Sequence, residues 1–131
     1  MQVEKIKDTA IAALDEIKAR DIVVLDVTKL TSLFDYMIVA SGESARQNNA
    51  LARNVQERVK AGGGYVLGSE GNQTGEWVLV DLGGVVVHIM QPVIRDYYNL
   101  EQLWGGEAPR RAIGLRRSAE RTADASANAR A

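Results

Sequence analysis

The chain has 131 residues, 46% hydrophobic and 25% charged, with a formal net charge of −1 and no cysteine. That is the make-up of one globular domain whose core buries roughly two-thirds of the unfolded surface. The missing cysteine excludes disulfides, thiolate zinc sites and a cysteine nucleophile, and no apolar run nears the ~20 residues that span a bilayer.

Residues 3–19 carry Val3, Ile6, Ala10, Ala13, Leu14 and Ile17 at helical spacing. This predicts an amphipathic first helix, not a signal peptide. Residues 21–27 (DIVVLDV) and 35–40 (DYMIVA) are β-rich runs and predict two strands. Ser44 followed by Gln47 is a capping-box pattern, so a second helix is expected from there to Lys60 with Leu51, Ala52, Val55 and Val59 on its core face. The glycines at 62–64 stop it. A short third strand is expected at 65–67, then a loop over 68–75.

The most strongly patterned stretch follows, at residues 76–104. Gly83 and Gly84 lie between two apolar runs, which predicts a tight hairpin with φ > 0 at both glycines. In that register Leu82, Val80 and Val78 oppose Val85, Val87 and Ile89 on a pure core face. The other face holds Trp77 opposite Met90, Leu79 opposite His88, and Asp81 opposite Val86. A large apolar group on a half-open face suggests a partner surface. Pro92 suits a first helical position. The helix it opens carries Val93, Tyr97, Leu100 and Trp104 on one stripe, and Ile94 and Tyr98 on another.

The fold expected is α/β (α+β): a mixed sheet of about five strands with helices mainly on one face. The strands flanking the central helix are candidates for parallel pairing through a right-handed crossover. The domain spans residues 1–105. Residues 106–131 are rich in Arg and Ala, lack aromatics and predict a disordered tail.

Candidate chemistry is thin. His88 is the only histidine and lies mid-strand, which favours a structural or interface role over catalysis or metal binding. Asp81 has no second acid at Asp-x-Asp spacing, because Gly83 stands there, so a turn or interface role at a strand end is expected. Ser41-Gly42 before a helix carries neither a dinucleotide nor a Walker pattern. No catalytic residue, metal or cofactor is expected. Trp104 is expected to pack inside, while Trp77 and Tyr98 are better interface residues. Charge is uneven. Residues 105–131 hold six Arg against three acids, whereas residues 1–104 hold ten bases against fourteen acids. An acidic body suits a basic protein partner better than direct nucleic-acid contact, which is left to the tail.

The runs DIVVLDV, SLFDYMIVASGESARQ and GEWVLVDLGGVVVHIMQPVIRDYYNLEQLWG resemble the ribosomal silencing factor family (RsfS, Iojap-like) over about residues 1–105. The ordered blocks are the LDV strand, D-Y-M-I-V-A-S-G, W-x-x-x-D-x-G, V-H-I-M and Y-x-L-E-x-L-W. The resemblance implies a nucleotidyltransferase-like fold without nucleotidyltransferase activity. It also implies binding to the large ribosomal subunit through ribosomal protein L fourteen, which blocks subunit joining and represses translation when nutrients are short. Trp77, Leu82 and Tyr98 correspond to the family's partner-contacting positions. Val86, Met90 and Glu101 join them from the face assignment above. Leu82 then needs to act at the rim, because the register turns it toward the core. The tail has no counterpart role and is a candidate for contact with ribosomal RNA. A bacterial cytoplasm is the expected location, since no transit-like leader precedes the first helix. The alternatives are a nucleotidyltransferase-like enzyme and a scaffold that forms a homodimer through the Trp77 face.

Overall fold

The computed structural model describes residues 1–105 and the backbone of a two-residue strand at 110–111. In chain order the elements are α1 (Val3–Glu16), β1 (Arg20–Asp26), β2 (Tyr36–Ser41), α2 (Ala45–Ala61), β3 (Gly68–Glu70), β4 (Trp77–Asp81), β5 (Val85–Met90), α3 (Pro92–Tyr98), α4 (Leu100–Gly105) and β6 (Arg110–Arg111). They form a mixed sheet in the order β3-β4-β5-β2-β1-β6. Every pairing is antiparallel except β2 with β5.

The parallel partner of β2 is therefore β5, not the strand that directly follows α2. Composition explains the choice. Strand β5 (VVVHIM) is apolar enough on both faces for a central place, whereas β3 (GSE) is short and polar, as a sheet edge requires. The third strand also falls at Gly68–Glu70, not at the expected 65–67, where Tyr65 is 82% and Leu67 68% exposed. The loop after it is tied to α2: Asn48 Nδ2 donates to the Gly75 carbonyl (2.7 Å) and Asn49 Nδ2 to that of Asn72 (3.0 Å). Those anchors set where the edge strand falls, which an apolar run of three residues could not.

The hairpin β4–β5 has the expected register, with Trp77 opposite Met90, Leu79 opposite His88 and Asp81 opposite Val86. Only Gly83 takes a positive φ (+88°). Gly84 is required for a different reason: a Cβ there would lie 2.6 Å from Val3 Cγ2 of α1. Asp81 caps the turn, its Oδ1 accepting from Gly83 N (2.9 Å).

Helix α2 starts as expected, with Ser44 Oγ accepting from Gln47 N. Helix α1 ends three residues early. Lys18 adopts φ +65°, Lys18 N donates to the Asp15 carbonyl, and Ala19 N donates to that of Leu14 (both 3.0 Å). This is a Schellman closure with lysine where glycine is usual, and buried Ala19 and Leu14 supply the apolar contact that goes with it. Beyond it, β1 carries one extra residue between Arg20 and Val23, the bulge that holds Asp21 at φ +50°.

The two faces of the sheet carry separate cores. Helices α1 and α2 cover one, where Leu14, Leu51, Val55, Ile38, Val78, Val80, Val87 and Ile89 pack together. The opposite face holds Val23, Leu25, Val27, Met37, Val39 and Met90, with Leu100, Ile94, Trp104 and Phe34 laid over them. The expected disordered tail at 106–131 lies outside the described residues, apart from the two residues that pair with β1.

Replacing Lys18 with glycine removes a Cβ from a left-handed position at an exposed site. The gain exceeds the added entropy of the unfolded chain, so stability should rise by about 0.5–1 kcal/mol. Urea unfolding checks this; a lower midpoint for Lys18→Gly would contradict the closure described.

Candidate functional site

The second face of the sheet can be followed strand by strand. One row across it runs Trp77, Met90, Ser41; the next runs Leu79, His88, Val39, Val23; the third runs Asp81, Val86, Met37, Leu25. On the β1–β2 side these residues are buried under α3 and α4. On the β4–β5 side Trp77, Leu79, Asp81, Val86 and His88 are only half-buried.

The covering helices are two, not the single helix expected. Asn99 takes a left-handed conformation (φ 49°, ψ 57°) at the end of α3, its N–H donating to the Arg95 carbonyl (2.8 Å). Its side chain then meets Gln102 at the start of α4, with Nδ2 donating to Oε1 at 2.7 Å. The motif Asn99-x-x-Gln102 is a stop followed by a start, and asparagine is the residue after glycine best suited to both.

This break divides the expected stripe. Leu100 is buried and Trp104 half-buried, packed in the second core with Phe34 (ring centroids 5.6 Å apart). Val93 and Tyr97 face outward instead, at 72% and 80% exposure, because they precede the turn that changes the helix direction. Leu103 joins them at 74%. The phase shift is why helical periodicity across Asn99 put Val93 and Tyr97 on one stripe with Leu100 and Trp104.

The aromatics make a ridge. The Tyr98 ring lies 4.9 Å from that of Trp77, tilted by 49°, and Tyr97 meets Tyr98 edge-on at the same distance. Trp77 is fixed from below: its Nε1 donates to His88 Nδ1 at 2.9 Å. That bond requires the tautomer of His88 with the proton on Nε2. Burial pushes the imidazole pKa down to about 4, and a donor aimed at Nδ1 favours the neutral ring in the same direction.

Arg95 joins the helices to the sheet. Its side chain is buried; one terminal nitrogen donates to Ser41 Oγ (2.9 Å), and Nε and the other terminal nitrogen grip both oxygens of Glu101 (3.0 and 2.9 Å). The Glu101 carboxylate is thus engaged within the domain. Of the other residues singled out in the sequence, Leu82 and Met90 are buried, at 4% and 0% exposure. Met90 does not sit on a half-open surface as expected, because α3 and α4 roof that end of β5. Trp77, Val86 and Tyr98 do reach the surface. Tyr97 extends it through its ring contact with Tyr98, and Val93 and Leu103 are exposed on the same two helices; in the sequence Val93 and Tyr97 shared a stripe with Leu100 and Trp104, and Leu103 lay on neither stripe.

Trp77, Tyr98 and Tyr97 thus form an aromatic ridge at the half-open end of the sheet, and this ridge is the candidate site. The chain belongs to the ribosomal silencing factor family, whose description is "Ribosomal silencing factor during starvation" and whose match spans residues 1–131. Ribosomal silencing factor RsfS of Chromobacterium violaceum is 55% identical over 114 residues, covering 87% of this chain and 93% of that protein. A crystal structure of a protein from the same organism superposes with a TM-score of 0.79 at 55% identity, over 87% of this chain and 95% of that one. A mouse protein, mitochondrial assembly of ribosomal large subunit protein 1, is 32% identical over 100 residues, covering 74% of this chain and 44% of the mouse protein. No helix among the described residues is long and apolar enough to cross a membrane.

The buried neutral His88 has a pH consequence. The unfolded chain takes up a proton at this site below about pH 6.5, whereas the native state resists until about 4. Its contribution to stability is full above 6.5, is lost as pH falls from 6.5 to 4, and levels off below, by on the order of 2–3 kcal/mol. His88→Gln should flatten the stability profile over this window relative to wild type, as measured by urea unfolding. Parallel profiles would contradict the burial argument.

Proposed function

We propose that this chain is a non-catalytic occluder of the large ribosomal subunit. Its Trp77–Tyr98 ridge docks on ribosomal protein L fourteen, on the surface that otherwise meets the small subunit. Joining is then blocked by bulk, and translation falls when nutrients are short. The observation that carries the reading is the run of exposed apolar side chains on α3 and α4 beside Trp77. Val93, Tyr97 and Leu103 are each more than 70% exposed, and aromatic clusters of this kind supply binding hot spots.

Two further features support it. The name of the mouse relative concerns assembly of the ribosomal large subunit. The acidic balance of residues 1–104 favours encounter with a basic ribosomal protein, mainly through the association rate. A specific complex needs about 800 Å² from each partner, so Leu79 and Val86 on the open half of the sheet belong to the footprint. Leu82, Met90 and Glu101 act from beneath it: the first two support the sheet, and the third holds Arg95. The setting in which this takes place is the cytoplasm.

The test is co-sedimentation with isolated large and small subunits at near-physiological salt. Wild type is expected to pellet with the large subunit alone. Tyr97→Ala and Tyr98→Ala keep the core intact and should bind at least tenfold more weakly, as hot-spot losses of about 1.4 kcal/mol or more require. Binding to neither subunit, or variants that bind like wild type, would overturn the reading. A homodimer through this face would appear as a doubled mass in sizing chromatography and would compete with the subunit.

A further inference from the structure

The acidic average of the body conceals a positive pole. Within residues 45–61, which make up α2, four bases (Arg46, Arg53, Arg58, Lys60) stand against one acid, Glu57. The rest of residues 1–104 has six bases against thirteen acids. Helix α2 therefore carries +3 on a domain that is otherwise −7.

The charges are not scattered. Arg58 turns aside to pair with Glu16 of α1. Arg46, Arg53 and Lys60 are spaced seven residues apart, so they fall on one exposed stripe with successive cations ~10.5 Å apart along the axis. None of the three makes an ion pair within the described residues. Glu57 is the single acid on the stripe, and it leaves the stripe at +2.

A groove of about 380 Å³ runs beside this stripe, between α2 and the loop at 71–75. It is lined by Asn49, Arg53, Gln56, Glu57, Lys60 and Asn72. Its far wall is held in place, since Asn49 Nδ2 donates to the Asn72 carbonyl and Asn72 Nδ2 to Asn49 Oδ1 (3.4 Å). The lining is three amides, two cations and the Glu57 carboxylate, with no apolar or aromatic side chain. An acidic peptide would need apolar anchors to be held here, and single-stranded bases would need rings to stack on. Spaced cations flanked by amide donors suit phosphate and ribose oxygens instead, the contacts that position a protein on a nucleic acid without reading its sequence.

We infer that the outer face of α2 binds the sugar–phosphate backbone of a folded RNA. Helix α2 packs on the face of the sheet opposite the aromatic ridge. An RNA can therefore be held there while a protein partner occupies the ridge, and the inference goes beyond the docking proposed above.

The full chain is titrated into a fluorescein-labelled 20-base-pair RNA duplex of arbitrary sequence, with anisotropy read over a salt series from about 50 mM. Three proteins are compared: wild type, the triple variant Arg46→Gln, Arg53→Gln, Lys60→Gln, and a control with the same charge change elsewhere, Lys5→Gln, Lys18→Gln, Lys29→Gln. Wild type and control should bind alike. The α2 variant should bind at least tenfold more weakly, with the slope of log K against log salt reduced by about 2–3, close to one per lost phosphate contact. The inference is overturned if wild type does not bind at the lowest salt, or if the α2 variant binds like the control, which assigns the contact to the arginine-rich C-terminal residues. It is equally overturned if both triple variants lose affinity together, or if polyglutamate displaces the RNA and is bound as tightly. Tyr98→Ala should leave RNA binding unchanged, so failure of the ridge proposal is read separately.

Discussion

The structure depends on one side chain, Arg95. Helices of seven and six residues have no stability of their own in water, and α3 and α4 exist because they are fastened. Ile94, Leu100 and Trp104 hold them on the sheet by apolar packing, and the Arg95 fork sets their place, spanning Ser41 on β2 and Glu101 on α4 while its own helix, α3, carries the exposed tyrosines. A buried ion pair of this kind adds little net stability, because desolvation offsets most of the attraction. Its value is geometric: it fixes the angle at which α3 crosses the sheet, and so the place where Tyr98 meets Trp77. The hydrogen bond from Trp77 to neutral His88 fixes the other half of the contact. The aromatic ridge is thus held from beneath by polar groups that are buried or half-buried.

The sheet separates two roles. One face, under α1 and α2, is an aliphatic core that makes the domain stable. The other is core over β1 and β2 and half-open over β4 and β5, and the boundary between these zones is the line where α3 and α4 end. Charge follows the same division, with the positive stripe on α2 turned away from the ridge. Occlusion by a domain of this size requires no moving part. It requires only that the ridge be presented without local unfolding, and that the opposite side be bulky enough to exclude another particle.

Much of this was legible in the sequence where a local rule was strong. The Gly83-Gly84 turn between alternating apolar residues set the hairpin register, and with it the grouping of Trp77, Leu79, Val86 and His88. Ser44 with Gln47 set the start of α2. Three things were hidden. Lys18 closes α1 in a conformation that composition assigns to glycine. Asn99 divides the last helix and rotates Val93 and Tyr97 outward, although Asn99-x-x-Gln102 is a capping pattern. The burial of Met90 depends on what covers the sheet, which no period-two pattern contains. The positive pole on α2 was masked by averaging charge over the body when the helix face was the relevant unit.

The most direct test of the docking account is amide hydrogen exchange on the full chain, alone and with an excess of isolated large subunits. The account predicts slowed exchange in α3 and around Trp77 at the start of β4, with α1 unchanged. Protection confined to α1, or none in α3 at saturating subunit, would contradict it.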